Sequence, residues 1–132
     1  MKDNLKIIQE LHKTDFKFVI VSSGGGSNAV GTLLKVPGAS NSVLEAYIPY
    51  AKESLDFYLL RKPDFYCSKD TTLRMAARAY SAAKKIDPDS NVSKLFGVAI
   101  TEHYQQLMRK KESTDSILPY RLKHIQKVFR VF

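Results

Sequence analysis

The 132-residue sequence has no tryptophan and a single cysteine, Cys67. One cysteine cannot form an internal disulfide, and a reducing, cytoplasmic setting therefore fits the sequence best. Its three histidines are not spaced as metal ligands, so we expect no metal site. No apolar run approaches the ~20 residues of a membrane-spanning helix, and residues 1–6 lack the apolar stretch of a signal peptide. We therefore expect neither a disulfide scaffold, nor a zinc module, nor a membrane protein.

Acidic residues are also scarce, because 13 Asp and Glu stand against 21 Lys and Arg, which gives a net charge of +8. Residues 101–132 carry half of this excess, with seven basic and three acidic side chains. Such an excess can bind nucleic acid, but no RNA-binding signature or aromatic-interleaved basic motif accompanies it. We therefore favour a solvated basic surface and expect no nucleic-acid partner.

The length and the 44% hydrophobic content suit one domain with a proper core. Apolar residues recur at helical spacing in four segments. These are 4–13, 27–35, 51–60 and 68–85. Buried or β-like runs predict three strands, over 17–22, 42–50 and 95–101. The alternation indicates an α/β domain with a mixed or mostly parallel sheet.

Smaller features of these segments are also predicted. Ser68 is the expected N-cap of the fourth helix, and Leu73 is expected on its buried face. In the first helix, Leu5 should be buried and His12 should face solvent. After residue 101 we expect a helix over 102–111 and a loop over 112–119, whereas residues 121–132 fit either a helix or a strand.

A glycine-rich turn follows the first strand. Its residues are Ser22, Ser23, Gly24, Gly25, Gly26 and Ser27. Strand, glycine turn and helix start is the layout in which α/β proteins hold anionic or acyl ligands, because backbone N–H groups point outward there and glycine allows close approach. The turn lacks the lysine of a P-loop, the spacing of a dinucleotide fold and the G-x-S-x-G elbow of hydrolases. We favour a small-molecule site over a purely structural turn, with a serine as candidate nucleophile.

Tyr50 and Lys52 follow the second predicted strand. A phenol or an ammonium at the carboxyl end of a strand can face the ligand crevice of an open α/β sheet. The alternative is an amphipathic tyrosine at the domain edge beside a solvated lysine. From these residues alone, the alternative is preferred.

Together these landmarks resemble the C-terminal domain of the CinA family (competence/damage-inducible protein A), whose enzymes are nicotinamide-nucleotide amidases. The resemblance covers about residues 5–101. Its pieces are the strand and turn 19–27, the segment 33–40 with Val-Pro-Gly-Ala-Ser, the strand ending at Tyr50, the Met-Ala-Ala run of helix 68–85, and the strand 96–101. The resemblance implies a three-layer α/β/α domain over 1–101, to which 102–132 adds a divergent basic segment.

The resemblance also implies a reaction, namely hydrolysis of the carboxamide of nicotinamide mononucleotide or a related pyridine nucleotide, with no cofactor. It places Ser23 as nucleophile and Tyr50 as an assisting residue, and Lys52 is the nearest ammonium that could take the part of the family's assisting lysine. The remaining residues of the turn would bind the substrate, namely Ser22, Gly24, Gly25, Gly26 and Ser27.

The sequence departs from the family at three points. Aligning the glycine pair of the turn instead needs a two-residue insertion and puts Val21 at the nucleophile's position. Leu55 stands where the family has its lysine, and after Thr101 the family's glycine-rich loop is replaced by Glu102-His103-Tyr104 and a basic tail. Loss of a catalytic ammonium costs on the order of a hundredfold in rate. Two functions therefore stay open: an amidohydrolase, and a catalytically degenerate nucleotide-binding or protein-interaction module. A core without its last strands could be completed by a partner chain, which would make a homo-oligomer.

Overall fold

A four-stranded sheet forms the middle of the molecule. The structure is a computed structural model that describes residues 2–24, 26–101 and 105–108. Within these residues the strands are β1 (Lys17–Ser23), β2 (Val43–Tyr47), β3 (Leu95–Thr101) and β4 (Gln105–Met108), in the order β2-β1-β3-β4. β1 pairs in parallel with β2 and β3, and β4 is antiparallel to β3. The sheet is mixed, as predicted.

Four helices flank the sheet. They are α1 (Lys2–His12), α2 (Ser27–Lys35), α3 (Lys52–Leu59) and α4 (Lys69–Ile86). Their bounds lie within two residues of the predicted ones. The Ser68 hydroxyl accepts the Thr71 N–H at 3.0 Å, which confirms the predicted N-cap of α4. None of the helices among the described residues combines the length and the hydrophobicity that crossing a bilayer requires.

The side chains of β1 alternate between the two faces of the sheet and contact helices on both sides. Successive side chains of a strand point to opposite faces of a sheet. Phe18 and Ile20 pack in one apolar cluster, which also holds buried residues of α1 and α2. Val19 and Val21 pack in a second cluster on the other face, with buried residues of α3 and α4. Helices therefore cover both faces of the sheet, which confirms the expected α/β/α arrangement.

Gly97 fixes the distance between α4 and β3. A Cβ atom built on Gly97 would lie 2.1 Å from the Ala76 carbonyl oxygen and 2.3 Å from the Tyr80 backbone nitrogen. The backbone of α4 thus rests directly on β3, and the helix presents small buried side chains, Ala76, Ala79 and Ala83, to the sheet. A larger residue at position 97 has no room.

His12 is buried, so the prediction that it faces solvent is wrong. The residue is 3% exposed, and its Nε2 lies 3.0 Å from the Leu33 carbonyl oxygen while its Nδ1 lies 2.9 Å from the Ser42 hydroxyl. Because a carbonyl oxygen only accepts, Nε2 carries a proton that it donates to Leu33, and Nδ1 is within hydrogen-bond distance of the Ser42 hydroxyl. His12 therefore ties α1 to α2 and to the start of β2.

Other expectations fail at the edges of the fold. Leu5 and Leu73 are 48% and 40% exposed, although both were expected in the core. The helix predicted over 102–111 is also wrong, because residues 105–108 pair with β3 as a strand. The loop predicted over 112–119 and the undecided segment 121–132 lie outside the described residues.

Candidate functional site

The turn after β1 leads directly into α2. Gly24 has a φ of +101°, which favours glycine, and Gly26 is the N-cap residue of α2. No side chain caps this helix, so the N–H groups of its first turn carry the positive end of the helix dipole without a side-chain acceptor. Gly25 lies outside the described residues. Helix N-termini of this kind can bind small anionic groups.

Gly26 is required by packing. A Cβ atom on Gly26 would lie 2.3 Å from Cγ2 of Ile100 and 3.1 Å from the Ser22 hydroxyl oxygen. Ser22 has no exposed surface, and its hydroxyl has no hydrogen-bond partner among the described residues. Ser22 thus lies beneath the turn, between the sheet and the start of α2. Its hydroxyl is not presented to solvent.

Ser23 lies on the opposite face of the sheet from Ser22. It is the last residue of β1 and follows the alternation of Val19 and Val21, whose side chains face α3 and α4. Its side chain is half-buried, and its partner across the sheet is Thr101 at the end of β3. Ser23 therefore lies at the carboxyl edge of the sheet, beside the N-terminal end of α4.

Three polar residues that the sequence analysis missed lie at this edge. The Thr101 hydroxyl is 3.0 Å from the Thr72 hydroxyl in the first turn of α4, and the Cys67 sulfur lies 3.9 Å from Thr101 Oγ1. A threonine that ends a buried strand and a threonine in the first turn of the preceding helix are the signals that could have indicated this cluster. Such positions meet at the carboxyl edge of an α/β sheet.

Tyr50 and Lys52 lie beyond the carboxyl end of β2, the strand next to β1. β2 ends at Tyr47, so the prediction that the strand reaches Tyr50 is wrong, and Tyr50 is 79% exposed in the following loop. Lys52 begins α3, and its Nζ lies 5.5 Å from the ring centroid of Tyr66. Within the described residues, no hydrogen bond joins Ser23 to Tyr50 or Lys52. β2 runs parallel to β1 and its last residue, Tyr47, pairs with Val21, so the chain that carries Tyr50 and Lys52 leaves the sheet at the same carboxyl edge as Ser23.

Tyr66 is held as a neutral phenol beside Lys52. Its hydroxyl donates to the Asp56 carboxylate at 3.3 Å. Desolvation and this hydrogen bond raise the pKa of Tyr66 above its usual value. The Lys52 ammonium therefore faces an uncharged aromatic ring, as in a cation–π contact.

Leu55 is part of the core. It is 2% exposed and lies in the same apolar cluster as Val19, Val21 and Met75. In the described chain, no three His, Cys, Asp or Glu side chains converge to hold a metal ion. The described site thus offers hydroxyls and backbone N–H groups, without a buried cation.

No family model matches the sequence, and no curated protein matches it. Among solved structures, competence/damage-inducible protein CihA from Agrobacterium tumefaciens superposes with a TM-score of 0.61 at 16% identity, over 98% of this chain and 92% of that chain. A competence-damaged protein (CinA) superfamily member from Escherichia coli superposes with a TM-score of 0.56 at 11% identity, over 95% and 85%. The chain has a CinA-like fold. At these identities it is the fold that is shared.

The candidate catalytic groups of this CinA-like domain follow two neighbouring parallel strands, β1 and β2. Ser23 and the uncapped start of α2 lie at the carboxyl edge of the sheet. The nearest lysine in sequence to the Leu55 position, Lys52, is engaged with Tyr66. A nucleophilic hydroxyl needs a base to take up its proton, and this CinA-like domain has an isobutyl group where the resemblance expects an ammonium.

Proposed function

We propose that this CinA-like domain binds a pyridine nucleotide at the turn between β1 and α2 and does not hydrolyse it. The observation that carries the proposal is the burial of Leu55, which is 2% exposed at the position where the resemblance expects the catalytic lysine. An isobutyl group can neither accept the proton of Ser23 nor stabilise developing negative charge. The binding elements of the turn do not depend on this side chain.

Two features support the binding of an anionic ligand at the turn. The first is the uncapped N-terminus of α2, whose backbone N–H groups suit a phosphate. The second is the net charge of +8, which raises the local concentration of anions around the chain. A nucleotide phosphate would bind at the first turn of α2, beside Ser27 and Asn28.

An amidohydrolase is the second candidate, and the placement of Ser23 favours it. This half-buried serine ends β1 at the carboxyl edge, next to the turn. In such an enzyme the Ser23 hydroxyl would attack the carboxamide carbon, and turn N–H groups would hold the oxyanion. The amide nitrogen would leave as ammonia, and water would then hydrolyse the ester on Ser23. Lys52 is the candidate to take up the proton of Ser23.

Two measurements on the full chain separate these functions. Calorimetric titration with nicotinamide mononucleotide measures binding, and ammonia release measures hydrolysis, with Ser23→Ala as the control. We expect binding and no release of ammonia above that control. Release above the control would establish the hydrolase instead. An absence of binding at millimolar nucleotide would contradict the proposed function.

A charge substitution tests the location of the phosphate. Asn28→Asp adds a carboxylate to the first turn of α2, where it favours the helix dipole but repels an anionic ligand. At about 1 kcal/mol for charges ~4 Å apart in water, we expect about fivefold weaker binding of the nucleotide with no loss of stability. The matched control is Asn91→Asp, which adds the same charge at the N-cap of the short 3₁₀ helix Val92–Lys94, outside the turn. Equal weakening by both substitutions would place the ligand elsewhere.

Leu55→Lys tests whether the missing ammonium limits hydrolysis. The isosteric control is Leu55→Met, and circular dichroism reports whether each variant stays folded. If the missing ammonium is the cause, a folded Leu55→Lys variant gains ammonia release, and adding Ser23→Ala abolishes the gain. A gain that survives Ser23→Ala would exclude Ser23 as the nucleophile.

A further inference from the structure

A groove separate from the turn lies between β2, α3 and α4. Its volume is about 440 Å³, within the range of ligand pockets, and none of the residues of the turn lines it. Tyr47, Ile48 and Phe57 give it an apolar surface and are 44%, 51% and 83% exposed. Two cations, Arg78 and Lys85, line the side that α4 contributes. The groove thus combines aromatic rings with positive charge.

A second hollow of about 260 Å³ adjoins the groove. The two share Arg78 and Ser81, and the second is also lined by Arg61 and Arg74. Arg78 donates through Nε to the Tyr58 carbonyl oxygen at 3.0 Å, which leaves its terminal NH₂ groups without a hydrogen-bond partner among the described residues. Arg74 is held by Asp70 at 2.8 Å. Three guanidinium groups therefore surround one shallow hollow.

The polar groups of the groove are arranged asymmetrically. Glu45 lies on the β2 side, whereas the cations lie on the α4 side. The Tyr58 hydroxyl is buried in the wall between them and has no hydrogen-bond partner in the described chain. Its burial raises the pKa of Tyr58 far above its usual value, so it is a neutral donor without an acceptor. A bound anion would be repelled by Glu45 and attracted towards α4.

We propose that the groove and the adjoining hollow form one binding site for an aromatic phosphate. The flat ring would pack against Tyr47 and Phe57, and the phosphate would be held by Arg61, Arg74 and Arg78. Guanidinium groups bind phosphate oxygens in pairs of parallel hydrogen bonds, and aromatic side chains pack well against flat rings. The site is independent of the turn between β1 and α2.

The probe is 1-naphthyl phosphate, and its two halves are tested separately as 1-naphthol and inorganic phosphate. Calorimetry on the full chain should show one molecule bound per chain, at least about tenfold more tightly than either half, since each half loses contacts worth more than ~1.4 kcal/mol. Adenosine monophosphate forms a further arm. Tighter binding of the nucleotide than of naphthyl phosphate assigns the site to nucleoside phosphates, and weaker binding assigns it to simpler aromatic phosphates. Binding of naphthyl phosphate no tighter than that of its halves overturns the proposal.

Two variants and two matched controls locate the site. Arg78→Gln removes the shared cation and Phe57→Ser removes an exposed ring, and each should weaken binding of naphthyl phosphate about tenfold. Lys69→Gln and Phe65→Ser remove a charge and a ring outside the groove and should stay within about twofold of the unmodified chain. Equal losses in variants and controls would refute the site.

Amide chemical shifts separate this site from the turn. With naphthyl phosphate, the changes should cluster at residues 47, 57 and 78. Changes confined to residues 23–28 would place the aromatic phosphate at the turn and overturn the inference, while leaving the proposed function intact. Changes at the groove together with no nucleotide binding at the turn would support the groove site and contradict the proposed function.

Discussion

Replacing Gly97 by alanine should push α4 away from the sheet. The added Cβ would lie 2.1 Å from the Ala76 carbonyl oxygen and 2.3 Å from the Tyr80 nitrogen, where real Cβ atoms essentially never come closer than 3.0 Å. Both obstructing atoms belong to the backbone of α4, so no change of side-chain rotamer relieves the contact. The helix has to shift by roughly 1 Å, which loosens the packing of its small buried side chains.

The expected cost follows from this geometry. Overpacking a core costs about 1–3 kcal/mol of stability. Because two backbone atoms obstruct the added Cβ, we expect the cost of Gly97→Ala to lie at the upper end of this range. The lower entropy of the unfolded chain offsets about 0.4–1 kcal/mol of this, which leaves a net loss of about 2 kcal/mol. With an unfolding entropy of about 2.1 cal/mol/K per residue, Tm should fall by about 7 °C.

Gly31→Ala is the matched control, because a Cβ there meets no atom within 4 Å. Alanine in a helix interior is better than glycine by about 0.5–1 kcal/mol, so this variant should melt about 2–3 °C higher than the unmodified chain. Thermal unfolding followed by circular dichroism measures both shifts. If Gly97→Ala melts at the temperature of the unmodified chain, the close contact between α4 and β3 is refuted.

Three further predictions concern buried or paired polar groups. His12→Ala should lower the free energy of unfolding in urea by about 2 kcal/mol or more, because it leaves the Leu33 carbonyl oxygen unpaired, and a loss below about 0.5 kcal/mol would contradict the buried hydrogen bonds. Hydrogen bonds from Ser90 and Lys17 hold the pKa of Asp87 below its usual value, so this carboxylate adds stability at neutral pH that is lost as the pH falls below about 4. The free energy of unfolding of Asp87→Asn should therefore fall less between neutral and acid pH than that of the unmodified chain. Parallel plots of unfolding free energy against pH for the two proteins would refute this. Tyr58→Phe removes a buried hydroxyl that lacks a partner and should leave the urea midpoint unchanged or raise it, whereas a lower midpoint would reveal a missed hydrogen bond.

The central elements of the fold could be predicted because their sequence signals are local. Four consecutive apolar residues in β1 indicate a strand buried on both faces, and both faces are indeed covered by helices. The fourth helix begins at its predicted cap, Ser68, because a serine hydroxyl and a nearby N–H suffice to define a helix start. Signals of this kind do not depend on distant parts of the chain.

The failed predictions depend on distant contacts. Residues 105–108, Gln-Gln-Leu-Met, are good helix formers, and only their pairing with β3 makes them a strand. His12 is buried by partners 21 and 30 residues away, which helical periodicity cannot indicate. β2 ends at Tyr47 because its pairing with β1 ends there, although the apolar run continues to Ile48.

The candidate site was only partly predictable for the same reason. The turn and its uncapped helix start follow from the local order of strand, glycines and helix. The packing role of Gly26 depends on Ile100, which comes from a strand far along the chain. The groove between β2, α3 and α4 gave no sequence signal, because its residues come from three separate elements with no shared spacing.

The strand order has a consequence for synthesis of the chain. β1 pairs with β2 early, but its other neighbour is β3, and Lys17 finds its partner Leu95 only after more than half of the chain has been made. Pairings between such distant segments form slowly. Until β3 is made, one edge of β1 has no strand to pair with, and β1 contains the apolar residues Val19 and Val21. Unpaired apolar strand edges promote association between chains. We therefore expect fragments that stop before Leu95 to aggregate rather than fold.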